Sequence, residues 1–528
     1  MDTRKSMFAF LKDTFTDEKA EKIFYYGKRL NAKDFLDHAD RVAGFLTSVG
    51  IKKGDSVGIC LPNIPQAAIV FYAVNKIGAI ANVMHPKTGA GSLRDTVVRT
   101  DTKALFLFDR FLYKNIGKGE SKIPIVYCRL SDYLPSYKKL FRITEPFICK
   151  KNIFSYKSVL RKNLTATEVF SDGSEEAVYL HSSGTTGAPK TVVLSSYAFN
   201  ELAVNVFDTV KDLCEIDERI SVLMILPLFH GFGLGICVHL ALWKGRMLPL
   251  PLFGAKTTVR LMKKEPVNVI PGVPGMFRKL AEEKTFRGDF LKNIKMIFCG
   301  GDRLDPEVKR AFEKRLSESG CLTPIMEGYG LSEVASVASI NTFDPSNGSL
   351  GRPISKVRFR IMSSDGKECP PGESGEIYVS SPSVMNGYLD GVESGFVFSD
   401  GETWLPSGDI GYLDEDGCLH YRERIKRIIK IGGVNVFPQE IEEAAAKYPD
   451  VKNACAVRII YAGKPAVKLI VEITEKPSAG FEEGLKNYIG KKLMPYAVPR
   501  VIERTEKIRT NALGKADYRY YEEGRDKS

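Results

Sequence analysis

Ten consecutive residues, His181 to Lys190 (HSSGTTGAPK), carry the groups needed to hold a polyphosphate. Ser182, Ser183, Thr185 and Thr186 bring hydroxyl donors. Gly184 and Gly187 let backbone N–H groups close on phosphate oxygens, and Lys190 supplies balancing charge. A Walker A loop is excluded, because that motif has glycine directly before its lysine and Pro189 stands there. A plain Ser/Gly/Thr surface loop would share fragments of the string. The full run, placed directly after an apolar strand-like segment, favours phosphate. Further on, MEGYGLSEVA (Met326 to Ala335) offers the flat ring of Tyr329 for stacking on a base, with Gly328 and Gly330 leaving room beside it. An ordinary turn is the other reading of that Tyr-Gly pair.

These segments need strands to aim them. Helical periodicity runs from Asn31 to Val49, with Phe35, Ala39, Val42, Ala43, Phe45 and Leu46 on one face. A buried strand follows at Ser56 to Pro62, then an apolar helix through Phe71 to Lys76 and a strand at Ala79 to Met84. This alternation predicts α/β units on parallel sheets. AVYL (Ala177 to Leu180) enters the phosphate loop, TVVL (Thr191 to Leu194) leaves it, and Ser196 is placed to cap the next helix. Apolar runs at Ser221 to Leu226, Val267 to Ile270, Ile294 to Phe298 and Pro324 to Met326 read as further strands, most ending in glycine-containing loops. Ligands of open α/β sheets sit beyond such carboxyl ends.

From Val357 to Tyr421 the pattern changes to short alternating strands, with hairpins at Asp365-Gly366 and Asp416-Gly417. After Lys426 comes a smaller α+β piece: a helix at Pro438 to Tyr448, strands at Ala454 to Tyr461 and Val467 to Ile473, and a helix at Phe481 to Leu493. The boundary is placed at Arg424 to Lys426.

The chain has 528 residues, 44% hydrophobic and 27% charged, which suits two or more globular domains and argues against disorder. A net charge of +12 without a recognised binding motif excludes nucleic acid as the expected partner. Ten scattered cysteines show no zinc spacing and suit reduced thiols in the cytoplasm. The N-terminal residues have no apolar stretch of signal-peptide length. Val222 to Trp243 has the length of a membrane span, but Pro227, His230, Gly231, Gly233, Gly235 and His239 make it a strand, a turn and a buried helix. No transmembrane helix is expected. Arg110 to Lys162, rich in Lys and Arg, reads as a solvated insertion, with peripheral membrane contact the other option.

The phosphate loop and the order of the other motifs resemble the adenylate-forming superfamily: acyl-CoA synthetases, coumarate-CoA ligases, peptide-synthetase adenylation domains and beetle luciferases. The resemblance runs from GIKKGDSVGICLPN (Gly50 to Asn63) to LGKAD (Leu513 to Asp517). It implies an α/β fold, with a large domain (1–424) of parallel sheets plus a small β-barrel-like subdomain. A small mobile α+β domain (427–528) then follows a hinge near 425–426, at Lys426.

The resemblance also implies roles. The nucleotide site would take Ser182, Ser183, Gly184, Thr185, Thr186, Gly187, Lys190, Gly301, Asp302, Glu327, Gly328, Tyr329, Gly330, Ser332, Asp409, Arg424 and Lys515. Glu333, with Thr185, matches the magnesium side. Asp409 matches the aspartate that grips the ribose diol, and Arg424 the arginine beside it. His230, Phe232 and Gly300 match the acyl pocket. Asp302 is placed to accept from the adenine amino group, although a strand-ending turn is a fair alternative for CGGDRL (Cys299 to Leu304). Lys515 matches the lysine that stabilises charge in the adenylation step, with Thr185, Glu333 and His230 the other catalytic candidates. Gly432 and Gly433 lie in the segment that matches the thiol-transfer face. Three departures stand out: Ser332 where many relatives have threonine, Thr191 where many have glycine, and Glu423 before Arg424 where many have glycine.

The implied reaction joins ATP–Mg²⁺ and a carboxylic acid as acyl-AMP, releases pyrophosphate, and passes the acyl group to coenzyme A. No acidic residue stands near Phe229 to Gly233 to hold an amine, so a fatty or aromatic acid is expected. An acyl carrier protein is the alternative acceptor, and a non-catalytic nucleotide-binding protein the remote alternative.

Overall fold

The computed structural model describes residues 2–111, 121–135, 151–181, 190–213, 220–389, 391, 393–431, 434–473, 480–510 and 516–522. The described chain forms two compact units, the first built from 1–182, 190–358 and 380–405, the second including 359–379 and the segments from 406 onward.

The first unit holds two sheets. An eight-stranded sheet runs in the order Gly387–Tyr388, Thr191–Ser195, Glu176–His181, Ile80–Val83, Ser56–Cys60, Thr102–Phe108, Ile125–Cys128, Ile153–Ser155. From Glu176–His181 onward its neighbours are parallel. Its central strands are buried along their length, as expected of near-continuous apolar runs under helices. A nine-stranded sheet runs Arg352–Pro353, Ser339–Ile340, Ile325–Tyr329, Met296–Cys299, Val269–Gly272, Ile220–Met224, Gly245–Pro249, Glu21–Tyr25, Lys28–Asn31. Its core gathers Leu223, Ile270, Ile297 and Ile325 under Phe277, Phe286 and Phe312, whose rings meet at 5.0 and 5.3 Å.

Local chemistry explains the elements. Helix Ala32–Ser48 starts at Asn31, whose Oδ1 accepts from the Asp34 N–H at 2.7 Å while the Asp34 carboxylate accepts from the Asn31 N–H. Its expected apolar face is buried. Between Val222 and Trp243 the chain forms a strand, a turn, a π-helix (Gly233–Leu240) and an α-helical turn (Ala241–Lys244); the strand and the π-helix are buried, while Pro227, Phe229, His230 and Phe232 of the turn are half-buried. No helix among the described residues is long and apolar enough to cross a membrane.

The second unit contains much of a five-stranded sheet formed by Arg358–Met362, Gly375–Ser380, Val397–Ser399, Glu402–Leu413 and Leu419–Arg424, the last three pairing antiparallel in turn. Both hairpins occur at their Asp-Gly turns. After the short 3₁₀ turn Ile425–Arg427, helix Pro438–Ala446 packs on strand Val451–Tyr461, which pairs with Lys464–Ile473, and that with Val501–Thr505. Ile441, Ala445, Leu469, Val471, Phe481, Leu485 and Ile489 fill this core. A buried charge cluster ties its start: Arg427 reaches Glu423 at 3.2 Å and Glu442 at 2.7 Å, with its guanidinium 3.8 Å from the Tyr518 ring centre.

Three expectations are corrected. The barrel-like subdomain is an open sheet among the described residues, since no pairing closes it. The helix cap is Ser195, whose Oγ accepts from the Ala198 N–H at 3.1 Å; Ser196 is already helical and accepts from Asn75 instead. Arg110 to Lys162 is not simply a solvated insertion. Its described parts supply two strands of the eight-stranded sheet and helix Tyr156–Arg161, with Tyr127, Tyr156 and Val159 buried. The lysine count hid short apolar runs such as Ile125 to Cys128.

Candidate active site

The phosphate loop is flanked by strands Glu176–His181 and Thr191–Ser195, which pair antiparallel with His181 opposite Thr191. Ser182, Ser183, Gly184, Thr185, Thr186 and Gly187 lie outside the described residues, as do Gly432, Gly433 and Lys515. What anchors the loop at both ends is visible. Asn82 donates through Nδ2 to Thr100 and Thr102 at 2.8 and 3.1 Å, so its Oδ1, 2.6 Å from His181 Nε2, accepts a proton from that nitrogen. His181 Nδ1 is then the acceptor for the Thr191 hydroxyl at 3.3 Å, and Thr191 in turn accepts from Arg99 at 2.6 Å. Thr191 is fully buried. The residue that departs from the family pattern thus joins Arg99 to the loop's base.

Lys190, the first described residue after the loop, holds its ammonium 4.2 Å from the ring centre of Tyr388. The Tyr388 hydroxyl donates to Glu333 Oε1 at 2.9 Å. Lys190 and Glu333, expected on the phosphate and metal sides, are therefore brought onto one tyrosine. Glu333 sits on the 3₁₀ turn Ser332–Val334, which ends in Ala335 at φ +60°. The Met385 N–H donates to the Glu333 carbonyl at 2.7 Å. Among the described residues no set of three or more His, Cys, Asp or Glu would hold a metal unaided. One hard carboxylate linked through Tyr388 to Lys190 fits Mg²⁺, which takes one or two carboxylates and completes its shell with water and substrate phosphates.

Close backbone approach joins the motif loops. A side chain at Gly231 would lie 2.0 Å from the Ala335 carbonyl oxygen and 3.5 Å from Leu180, so only glycine lets the His230 loop touch the Glu333 turn and the strand feeding the phosphate loop. Phe232, Gly300 and Gly328 are likewise neighbours: a Cβ on Gly300 would stand 3.5 Å from the Phe232 ring and 3.7 Å from the Gly328 carbonyl. The His230 ring lies 4.6 Å from Phe229, which lies 4.7 Å from His85. Burial lowers the affinity of His85 for a proton, with Lys87 adding to the effect.

On strand Ile325–Tyr329, Tyr329 is 7% exposed and Glu327 pairs with Lys309 at 3.2 Å. Burial raises the Glu327 carboxyl, against the opposing pull of Lys309 and Arg303. Gly301 adopts φ +81° and Asp302 is exposed, its carboxylate accepting from the Arg303 N–H at 2.9 Å. Gly330 and Ser332 continue from the same strand end.

In the second unit Asp409 and Arg424 are cross-strand partners, and the guanidinium reaches the 3%-exposed carboxylate at 2.8 Å as an ion pair. Lys426 is exposed on the turn Ile425–Arg427. The sequence does not single out Tyr388, Arg99 and Asn82, and it marks His181 only as the start of the phosphate loop, not as its anchor. Gly387-Tyr388 is an ordinary dipeptide, and its partner Glu333 is 55 residues away.

A family profile described as AMP-binding enzyme matches residues 13–389. A long-chain-fatty-acid–CoA ligase of Bacillus subtilis (strain 168) is 32% identical, covering 97% of this chain and 93% of that protein. A probable 4-coumarate–CoA ligase 3 of Dictyostelium discoideum is 28% identical over 81% and 78%. Among solved structures, ATP-bound MatB from Rhodopseudomonas palustris superposes with a TM-score of 0.83 at 20% identity, covering 99% of both chains, which speaks for the fold.

Proposed function

The chain belongs to the AMP-binding enzyme family, and on that premise we propose that it is an ATP-dependent acid–thiol ligase acting on an apolar carboxylic acid and coenzyme A. The observation that carries the reading is the meeting of Lys190 and Glu333 on Tyr388, which pairs with the strand that follows the phosphate loop in sequence. A cation for phosphate and a carboxylate for a hard metal ion are what a nucleotide triphosphate requires at its charged end.

In this reading the acid's carboxylate attacks the α-phosphorus of ATP, forming acyl-AMP and releasing pyrophosphate. Lys190 and the hydroxyls of Ser182, Ser183, Thr185 and Thr186 bind the phosphates, and Asp409 with Arg424 binds the ribose. Mg²⁺, when bound at Glu333 with Thr185, supplies charge neutralisation at the phosphates. Lys515 stabilises the developing charge at the reacting oxygen. His230 orients the acid's carboxylate, while Phe232 and Gly300 flank the acyl group. Gly301, Asp302, Glu327, Gly328, Tyr329, Gly330 and Ser332 line the base. The domain of 427–528 then turns about Lys426, replacing Lys515 by the segment of Gly432 and Gly433, and the thiol of coenzyme A attacks the acyl carbon of the mixed anhydride, losing its proton and expelling AMP to leave the acyl-CoA thioester. The absence of an acid near Phe229 to Gly233 and the similarity to a long-chain-fatty-acid–CoA ligase together favour a fatty acid. We place the reaction in the cytoplasm.

The test is pyrophosphate and AMP release from ATP–Mg²⁺ by the purified protein, with aliphatic, aromatic and amino acids, each with and without coenzyme A. Sustained turnover that needs coenzyme A and a fatty acid is expected, and Lys515→Ala should abolish acyl-AMP formation. About one equivalent of pyrophosphate that coenzyme A cannot extend would point to an acyl carrier protein instead.

A further inference from the structure

Tyr388 has no role in the reaction as described, yet two charged groups of the site depend on it. We propose that Tyr388 is a positioning residue that holds the Glu333 carboxylate through its hydroxyl and the Lys190 ammonium on its ring face. It thereby keeps the metal-side anion and the phosphate-side cation apart and aimed before nucleotide arrives. This rests on the ligase reading for the identity of the ligand, ATP–Mg²⁺.

The geometry carries it. An ammonium 4.2 Å from a ring centre is within cation–π range, and a phenol donating to a carboxylate at 2.9 Å makes a charge-assisted bond. An ammonium and a carboxylate left to meet in a partly dry site would pair with each other, and substrate would then have to break that pair. One phenol prevents this by offering each charge a different surface, the electron-rich face and the polar hydrogen.

Tyr388 is itself fixed by the sheet. It lies opposite Val192, and Gly387 opposite Val193, on the strand that leaves the phosphate loop. The Asn386 N–H donates to the Val193 carbonyl at 2.8 Å and the Leu389 N–H to the Thr191 carbonyl at 3.0 Å. Just before it, the Met385 N–H grips the Glu333 backbone at 2.7 Å. One five-residue segment therefore registers the Glu333 turn, both backbone and side chain, against the loop strand.

The experiment uses the full chain and two variants, with melting temperature as a folding control. Tyr388→Phe keeps the ring and removes the hydroxyl; Tyr388→Leu removes both. Binding of ATP itself is titrated calorimetrically in EDTA and against rising Mg²⁺, without any acid, and the Mg²⁺ concentration for half-maximal pyrophosphate release is measured in parallel. Removing a partner that orients a metal ligand costs about 10–100-fold in metal affinity. Tyr388→Phe should therefore raise the Mg²⁺ requirement by about tenfold or more while leaving Mg²⁺-free nucleotide binding within about twofold. Tyr388→Leu should also weaken the Mg²⁺-free binding, because Lys190 loses its ring. In a Glu333→Gln background, Tyr388→Phe should add nothing to the Mg²⁺ requirement, a coupling that a merely structural residue would not show. A wild-type Mg²⁺ requirement in Tyr388→Phe overturns the proposal, and so do additive effects with Glu333→Gln. Wild-type protein that binds the nucleotide yet releases no pyrophosphate with any acid sinks the ligase reading alone, since Mg²⁺-dependent binding still decides Tyr388. Wild-type protein that binds no nucleotide overturns both.

Discussion

His239 should make the first unit lose stability as pH falls below neutrality. It sits fully buried in the π-helix Gly233–Leu240, behind the His230 loop. Asn200 Nδ2 donates to the carbonyls of Thr3 and Lys5 at 2.9 and 3.0 Å, so its Oδ1, 2.9 Å from His239 Nε2, must accept. The imidazole therefore carries its proton on Nε2, and Nδ1 accepts from Tyr72 at 2.8 Å. This neutral tautomer is fully satisfied, and burial pushes the imidazole pKa down from its ordinary 6.5 to about 3. Between those values the unfolded chain binds a proton that the native chain does not. The stabilisation is present above 6.5 and is lost as pH falls, by about 1.4 kcal/mol per unit, or roughly 2 kcal/mol between pH 6.5 and 5. His239→Gln removes the titration and keeps an acceptor and a donor. Urea unfolding at pH 7, 6 and 5, in a Trp404→Phe background where Trp243 is the remaining tryptophan, reads this unit. The wild-type advantage should shrink by roughly 2 kcal/mol over that range. Parallel curves for wild type and variant would refute the buried neutral imidazole.

Two further substitutions test the site. Thr191→Val takes the hydroxyl from between Arg99 and His181, at a cost of about 1–3 kcal/mol for polar groups left unsatisfied. Its melting temperature should fall, and Thr191→Ser should restore it; a Val variant as stable as wild type would dismiss the network. Asp409→Asn keeps the shape but removes the charge opposite Arg424, and hydrogen bonds to charged groups are worth about 1.5–3 kcal/mol. The KM for ATP should rise about 10–100-fold with the acid's KM little changed, and an unchanged ATP KM would separate Asp409 from the nucleotide.

What could be read from the chain was what lies within one short segment. The phosphate loop, the Glu333 turn and the Asp409–Arg424 hairpin each carry their proposed chemistry within one short segment, with turn and strand signals alongside, so type, spacing and local propensity sufficed to nominate them. The parallel sheets followed from apolar runs of strand length, and the helix at Ala32–Ser48 from its period and its Asn31 cap. Small displacements slipped through, as when Ser195 rather than Ser196 took the cap, because adjacent serines compete for the same N–H group. Charge counting misled at Arg110 to Lys162, where a few apolar residues, not the lysines, decide sheet membership. Contacts between distant segments had no local signature. Tyr388 reaches Glu333, Gly231 meets Ala335, and Arg99 reaches Thr191 only because strand pairing and close backbone approach bring separate loops together. Sequence thus named the chemical groups proposed for the site. The tertiary structure decided which of them touch, because hydrogen bonds and ring contacts act over a few ångströms, whatever the separation along the chain.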